Sequence, residues 1–255
     1  MPASGNSAVD KALDLVEAVA RSGRPLRLSE IADPLGLQRP TAHRVLADLV
    51  RRGWVMRIGD RYLPGTVVLQ LSRATAAHSL VGIARPVLER LSAATATMVN
   101  LQVPEEDRAR VVDVVRPARL EMISDLRDEL LPVHRFAGPL ALVAAMDERT
   151  RAPYLAAAAA AGHPLEGPDG LLADLDRTAR TGWGVQIGRT QRMVASVSRA
   201  VLTPDGQPLC ALTLVGPTPE FEEPNLSRLR DELRSAVDEL AGALGVPGGV
   251  PGGAA

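Results

Sequence analysis

One stretch, residues 28–62, constrains the fold of this chain more than any other. It opens with Leu28-Ser29-Glu30-Ile31-Ala32 and a Gly36-Leu37 corner. It continues through Gln38-Arg39-Pro40-Thr41-Ala42-His43-Arg44-Val45-Leu46-Ala47-Asp48-Leu49 and closes with Met56-Arg57-Ile58-Gly59-Asp60-Arg61-Tyr62. A short helix, a tight corner, a second helix and a basic hairpin in this order predict a winged helix-turn-helix. That module lays one helix in the major groove of double-stranded DNA.

The local chemistry agrees with that order. Pro40 falls in the first turn of the second helix, where a missing N–H is tolerated. Ala42, Val45, Leu46 and Leu49 recur at i, i+3, i+4 and i+7, the spacing of a core-facing stripe. Arg44 and Arg51 project from the opposite side, flanked by Thr41 and His43. Ser29 is the expected N-cap of the first helix, and Pro34 at about its fifth position predicts a short or kinked helix. Gly59-Asp60 fits a two-residue hairpin turn with Arg57 and Arg61 on its arms.

In such a module Arg39, Arg44, Arg57 and Arg61 can neutralise phosphates, and Arg44 can also reach a guanine edge with two hydrogen bonds. Pro40, Thr41 and His43 complete the predicted DNA-contacting set near the helix start. The competing reading is a small helical domain with a solvated basic face. Charge separates along the chain: residues 1–75 hold eleven basic and seven acidic side chains, a net +4, and the remainder holds 18 basic and 23 acidic, a net −5. That asymmetry fits DNA contact by the first segment only.

The rest of the chain mixes elements. Residues 7–20 carry Val9, Leu13, Val16, Val19 and Ala20 on one predicted helical face. After Gly65 helical spacing returns as a linker helix over residues 66–78, continuing after a break near Ser79 into 81–94. Paired strands are expected at 97–103 and 109–116 around the turn Pro104-Glu105-Glu106-Asp107. Helices are expected at 136–146, 150–161 and 171–180, the last ended by Gly182. Residues 194–202 and 209–215 alternate around Pro204-Asp205-Gly206, the clearest hairpin of the sequence. Asn225 is the expected cap of a final helix reaching Leu244, before a Gly/Pro-rich tail at 245–255 that is expected to be disordered. Strands, helices and strands again give an α+β class built on one antiparallel sheet. The domains expected are 1–65 for the winged helix, 66–78 for the linker and 79–244 for the sheet domain.

Several function classes find little support. Cys210 is the single cysteine, so neither a disulfide framework nor a thiolate metal cluster is available. It sits mid-strand between Leu209 and Ala211, where a buried small hydrophobe is expected. His78, His134 and His163 are dispersed and lack metal-ligand spacing. Gly182-Trp183-Gly184 with Gly188 approaches a dinucleotide loop, but its last glycine is one residue late. There is no Gly-x-Ser-x-Gly elbow and no Walker sequence. Neither catalysis nor a cofactor is expected. Met1-Pro2-Ala3-Ser4-Gly5 has neither the charged nor the apolar part of a signal peptide, and no apolar run approaches the roughly 20 residues that span a bilayer. A cytoplasmic protein with no membrane partner is the expectation.

Taken together the chain resembles the IclR family of bacterial transcriptional regulators from about Ser7 to Leu244. The resemblance rests on Pro40–Leu46, Gly53-Trp54-Val55 and Tyr62-Leu63-Pro64-Gly65 in the first part. In the second it rests on Leu131-Pro132-Val133-His134, Phe136-Ala137-Gly138, Gly182-Trp183, Val194–Ser198 and Ala211–Pro217. Arg39–Arg44 with Val194–Ser198 is most similar to an actinobacterial branch regulating amino-acid metabolism. The resemblance implies a winged helix that dimerises partly through its own helices, and a GAF-like carboxy-terminal domain that binds a small-molecule effector. It implies a homodimer or homotetramer, a repressor or activator, on a palindromic promoter site. By position, Phe136, Ala137, Gly138, Gln186, Val194, Ser196 and Thr213 would bound the effector site. Members that bind small acids often carry an acidic residue and a cysteine where this chain has Gln186 and Ser196. Arg199 stands where a small residue is usual. It could receive an anionic ligand, pair with a protein acid or face solvent.

Overall fold

A computed structural model of the chain describes residues 7–68 and 76–246, with side chains from Leu80 onward in the second stretch. The chain divides into two compact units, Met1–Ser79 and Leu80–Ala255.

The first unit begins with helix α1 (Ala8–Arg21). Ser7 caps it: the Asp10 N–H donates to Ser7 Oγ at 3.0 Å and the Ser7 N–H donates to Asp10 Oδ2 at 3.1 Å, a reciprocal capping box. Strand β1 (Leu26–Arg27) precedes α2 (Leu28–Ala32), and α3 is Arg39–Arg51. The cap of α2 is Arg27 rather than the expected Ser29, which lies inside the helix. Its first turn is closed by Glu30, whose carboxylate accepts the Arg27 N–H at 2.7 Å. The helix ends before Pro34, as the proline predicts. Gln38 starts α3, and Ala42, Leu46 and Leu49 are its buried residues.

Strands β2 (Val55–Ile58) and β3 (Arg61–Pro64) form the wing around Gly59-Asp60, with Gly59 at φ +61°. Strand β1 adds to β3 on the other side, pairing Arg27 with Arg61. The core gathers Leu15, Val19, Ile31, Ala42, Leu46, Val55 and Tyr62. One expectation fails here: Val9 and Leu13 are 66% and 55% exposed, while Leu15 and Val19 face the core. Helix α1 carries two apolar stripes, and packing selects the one centred on Leu15.

Helix α4 (Ala76–Thr95) begins within the first unit and continues into the second, running unbroken through Ser79, where a break was expected. Of the expected linker helix, Thr66–Val68 are helical and residues 69–75 lie outside the described residues. Strands β4 (Met98–Glu105) and β5 (Arg108–Val115) pair around a turn, followed by the short strand β6 (Leu130–Leu131). Helices α5 (Ala137–Ala144), α6 (Glu148–Ala160) and α7 (Leu171–Thr181) come next. Asp147 starts α6 slightly early because its carboxylate accepts the Thr150 N–H at 2.8 Å. Gly182 ends α7 in the left-handed region, φ +74°, a conformation cheap only for glycine.

Strands β7 (Gly184–Ile187), β8 (Val194–Leu202) and β9 (Pro208–Pro217) complete an antiparallel sheet of order β6-β5-β4-β9-β8-β7. The last helix, α8, is Asn225–Ala243. Pro224 occupies its cap position, and the Asn225 amide instead donates to the Glu220 carbonyl at 2.5 Å. Val246 packs against the core, so Gly245-Val246 belong to the folded unit and the remainder of the expected tail lies outside the described residues.

Alternation along the strands divides the sheet into two faces. Val99, Leu101, Ala195, Val197, Leu212 and Leu214 form one core with α4 and α8. The opposite face presents Met98, Asn100 and Gln102 of β4, Ser196 and Ser198 of β8, and Thr213 and Val215 of β9. Pairing sets these side by side: Asn100 is opposite Thr213, Thr213 opposite Ser198, and Ser196 opposite both Val215 and Gln186. Those rows make the floor of a cavity.

Candidate DNA-reading helix and ligand cavity

Six of the seven sequence-predicted DNA residues carry side chains that can act at a distance from the backbone, and the structure separates them by freedom. Arg39, Pro40, His43, Arg44 and Arg57 are exposed, and Thr41 and Arg61 are half-buried. Arg44 and His43 make no hydrogen bond or ion pair among the described residues. Arg39 lies 3.4 Å from Asp33. The wing arginines are held: Arg57 Nε donates to the Gly59 carbonyl at 2.8 Å and its guanidinium lies 5.8 Å from the Tyr62 ring centre. Arg61 donates to the Pro25 carbonyl at 3.2 Å. The wing therefore presents arginines with fixed stems, while Arg44 on α3 is an uncommitted fork suited to a base edge.

In the second unit the rows of the sheet floor, the start of α5 and the loop after β5 enclose a cavity of about 260 Å³. All seven residues expected at an effector site line it: Phe136, Ala137, Gly138, Gln186, Val194, Ser196 and Thr213. Its floor is polar and hydrogen-bonded, with Thr213 Oγ1 at 2.9 Å from Ser198 Oγ and 3.3 Å from Gln102 Oε1. Its walls include Met98, Ile123, Leu126 and Val215, and Arg135 and Arg189 stand on its lining. No acidic side chain lines it among the described residues. Gly184 lets β7 approach α5 closely, since a Cβ there would strike the Ala137 carbonyl.

Sequence reasoning missed Asn100 and Gln102, the 123–126 loop and the two arginines. The alternation of β4 shows which residues share a face. Only the long-range pairing of β4 with β9 shows that this face meets the cavity.

Arg189 is held by the buried Asp174 at 2.7 Å and donates to the His134 carbonyl at 3.3 Å. His134 and His163, expected to be dispersed, are stacked with ring centres 5.1 Å apart. Burial is the main cause that holds both imidazoles below their ordinary pKa, and their neutral forms are favoured. No cluster of three metal-ligating side chains occurs among the described residues. Cys210 is fully buried and its thiol is pushed up to about 12 by burial, so it is an apolar packing group and not a nucleophile. Gly184–Ile187 is an edge strand, which removes the dinucleotide-loop reading.

Arg199 alternates with Ser198 and so points away from the cavity. It is 5% exposed, lies 4.9 Å from the Trp183 ring centre and donates to the Gly182 carbonyl at 3.5 Å. Of the three roles open to it from sequence, exposure to solvent is removed. Cation–π stacking with Trp183 supplies a role none of them named.

The IclR helix-turn-helix domain model matches residues 8–59. The model described as bacterial transcriptional regulator IclR C-terminal matches residues 72–241. The chain belongs to the IclR family of bacterial transcriptional regulators.

It is 24% identical to the acetate operon repressor of Salmonella typhimurium, over 96% of this chain and 92% of that one. It is 26% identical to the glycerol operon regulatory protein of Streptomyces coelicolor, over 92% and 94%. Among solved structures the fold matches the Thermotoga maritima IclR with a TM-score of 0.59 at 19% identity, covering 93% of this chain and 98% of that one. It also matches an IclR homologue from Microbacterium hydrocarbonoxydans complexed with 4-hydroxybenzoate, at a TM-score of 0.54 and 22% identity, covering 92% and 100%. The curated relatives are named as repressors and regulators, in line with a protein that is not an enzyme. No described helix is long and apolar enough to cross a membrane.

Proposed function

We propose that this IclR-family regulator reads a palindromic promoter site through α3 and that a small organic anion in the cavity sets its DNA affinity. The carrying observation is the cavity itself: residues 136–138, Gln186, Val194, Ser196 and Thr213, from four separate stretches of the chain, converge on one space of about 260 Å³, just below the usual range of ligand-site volumes. The first-turn N–H groups of α5, which a helix cannot satisfy internally, start at Ala137 and Gly138 on its lining. Arg135 adds a cation there whose guanidinium has no hydrogen-bond or ion-pair partner among the described residues. A carboxylate is the chemistry that these donors accept, and the polar floor takes a hydroxyl or carbonyl at the other end. The relative crystallised with 4-hydroxybenzoate carries a ligand of this class.

Control of DNA affinity requires the anion to bind one arrangement of the protein better than the other, because equal affinity shifts nothing. A difference of about 1–3 kcal/mol, or roughly 5- to 150-fold, is sufficient. A homo-oligomer is part of this reading. Val9 and Leu13 stand exposed on α1 beside a groove lined by Ala8, Ala12, Val45, Leu49 and Trp54 together with the charged Arg44, Asp48, Arg51 and Arg52. An isologous pair of α1 helices would cover Val9 and Leu13 on both copies at once. A cytoplasmic location and the amino-acid-metabolism branch belong to the same proposal.

The test starts from genomic DNA fragments retained by the purified protein. Their common sequence gives the operator, and the genes beside it give the branch. Operator affinity and thermal stability are then followed across a panel of aliphatic and aromatic carboxylates that includes 4-hydroxybenzoate. A panel member that raises the melting temperature and changes operator affinity at least about fivefold supports the proposal. Operator binding that no carboxylate alters would leave the second unit as an oligomerisation domain only.

A further inference from the structure

The loop joining β5 to β6 forms one wall of the cavity through Ile123, Ser124 and Leu126. Three β5 or post-β5 arginine contacts and two backbone bonds tie it down. Arg116 donates to the Ile123 carbonyl at 2.8 Å, Arg110 donates to the Asp128 carbonyl at 2.8 Å, and the Asp128 N–H donates to the Val111 carbonyl at 2.8 Å. The Val111 N–H in turn donates to the Glu129 carbonyl at 3.0 Å. The third arginine, Arg127, comes from the loop itself and reaches inward to Asp113 of β5.

Asp113 is 1% exposed and is shared. Its Oδ1 accepts from Arg127 Nη1 at 2.8 Å, from Arg85 Nη1 at 3.0 Å and from the Val114 N–H at 2.8 Å. Among the described residues its Oδ2 accepts only from Arg85, at 3.3 Å. The Val114 carbonyl also accepts from both guanidiniums, at 2.9 Å from Arg127 and 3.4 Å from Arg85. Arg85 stands on α4 and is steadied there by Glu89 at 2.7 Å. That helix begins at Ala76, so Arg85 stands on the element that continues from the first unit into the second.

We propose that Asp113 is the positioning residue through which occupancy of the cavity, acting on the 121–129 loop, reaches α4. The inference rests on the effector-control reading above and specifies its route. One buried carboxylate oxygen cannot give two guanidiniums and an amide its best geometry at the same time. When the loop moves over a bound anion and draws Arg127 away, Oδ1 is released to Arg85 and α4 takes up the new position. When Arg127 returns, the two guanidiniums again share the oxygen. A buried carboxylate needs a cationic partner in either arrangement, so the two arrangements are discrete alternatives rather than a continuum.

Coupling is reciprocal, so it can be read without knowing the effector. Hydrogen exchange of the amides at 121–129 is measured in the full-length protein, free and bound to the recovered operator. In the wild type, operator binding is expected to change exchange in this loop by about fivefold or more. Asp113→Asn and Arg127→Gln are expected to abolish that change while operator affinity stays within about threefold at fixed salt, and Arg127→Lys restores part of it. Arg127 is 44% exposed, so its variant keeps the test decisive if Asp113→Asn fails to fold. If both glutamine and asparagine variants pass the signal as the wild type does, Asp113 is not the link. A wild-type loop indifferent to operator overturns this route and leaves the effector-control reading to the carboxylate panel, whereas a responsive loop with unresponsive variants sustains both.

Discussion

Gly138 and Gln102 occupy adjoining space so closely that a Cβ on Gly138 would fall on Gln102 Oε1. The first-turn backbone of α5 and the β4 side chain therefore meet at the cavity only because residue 138 has no side chain. Gln102 is 1% exposed and its Oε1 accepts from Thr213 Oγ1 at 3.3 Å, so it cannot turn aside without breaking the hydrogen-bonded floor. Gly138→Ala is expected to cost about 1–3 kcal/mol of stability, the usual range for overpacking a core. It should also weaken binding of any carboxylate that the wild type takes, with operator affinity in the ligand-free protein unchanged. Thermal melts and ligand titrations check this; an alanine variant with wild-type melting and binding would show that the contact is not restrictive.

The freedom of Arg44 separates it from Arg39, Arg57 and Arg61, the other arginines expected at DNA. With no hydrogen-bond or ion-pair partner among the described residues to lose, Arg44→Ala should leave the melting temperature unchanged. It should weaken operator binding by about 1–3 kcal/mol and relax preference at one base position. Arg61→Ala should instead weaken all sequences alike and lower the slope of affinity against salt by about one. It also breaks the bond to the Pro25 carbonyl, so a small loss of stability accompanies it. Competition binding with single-base operator variants at two salt concentrations distinguishes the cases. Unchanged operator affinity in Arg44→Ala would move the reading surface away from α3.

Much of this was legible in the chain because local chemistry and tertiary packing agree. Pro40 and the Ala42–Leu46–Leu49 stripe locate α3, Gly59-Asp60 locates the wing, and the residues around Pro204-Asp205-Gly206 locate the β8–β9 hairpin. The cavity was legible only through the family resemblance, and only on the side formed by α5, β7, β8 and β9. Asn100 and Gln102 carry no local mark of function; they reach the site because β4 lies beside β9, a pairing between segments far apart in sequence. Val9 and Leu13 misled for a related reason. Periodicity shows that α1 has apolar stripes, whereas which stripe enters the core depends on the helices it meets. The unbroken α4 shows the same limit, since a polar Ser79 interrupts a pattern without interrupting a helix.

The stacked imidazoles His134 and His163 give the fold a defined acid limb. Burial lowers both pKa values, and for His134 the neighbouring His163, Arg135, Arg108 and Arg189 charges act in the same direction. For His163, Arg189 lowers and Asp174 raises. The unfolded chain, with an ordinary histidine pKa near 6.5, therefore binds protons that the folded chain refuses. Stability contributed by the pair is present above about pH 6.5 and is lost as the pH falls through the depressed folded values. Melting temperatures between pH 7.5 and pH 5 should fall, and His163→Gln should flatten that fall. An equally steep decline in the variant would place the acid sensitivity elsewhere.

Gly182 is constrained twice. Its φ of +74° lies in the left-handed region, and a Cβ there would approach Arg199 Nη1 to 2.6 Å. The first constraint costs an alanine about 1–2 kcal/mol whatever surrounds it. The second depends on the guanidinium, which is fixed over Trp183 and cannot move freely. Gly182→Ala should therefore destabilise the protein by more than the backbone cost alone. Arg199→Ala should also destabilise it, through loss of the stacking contact with Trp183. Combined, the two changes should cost less than their sum, because removing the guanidinium vacates the space that the new methyl group needs. Denaturant melts of the two single variants and the double variant measure that coupling directly. Strict additivity would mean that the backbone conformation alone requires glycine and that Arg199 has no part in fixing this turn.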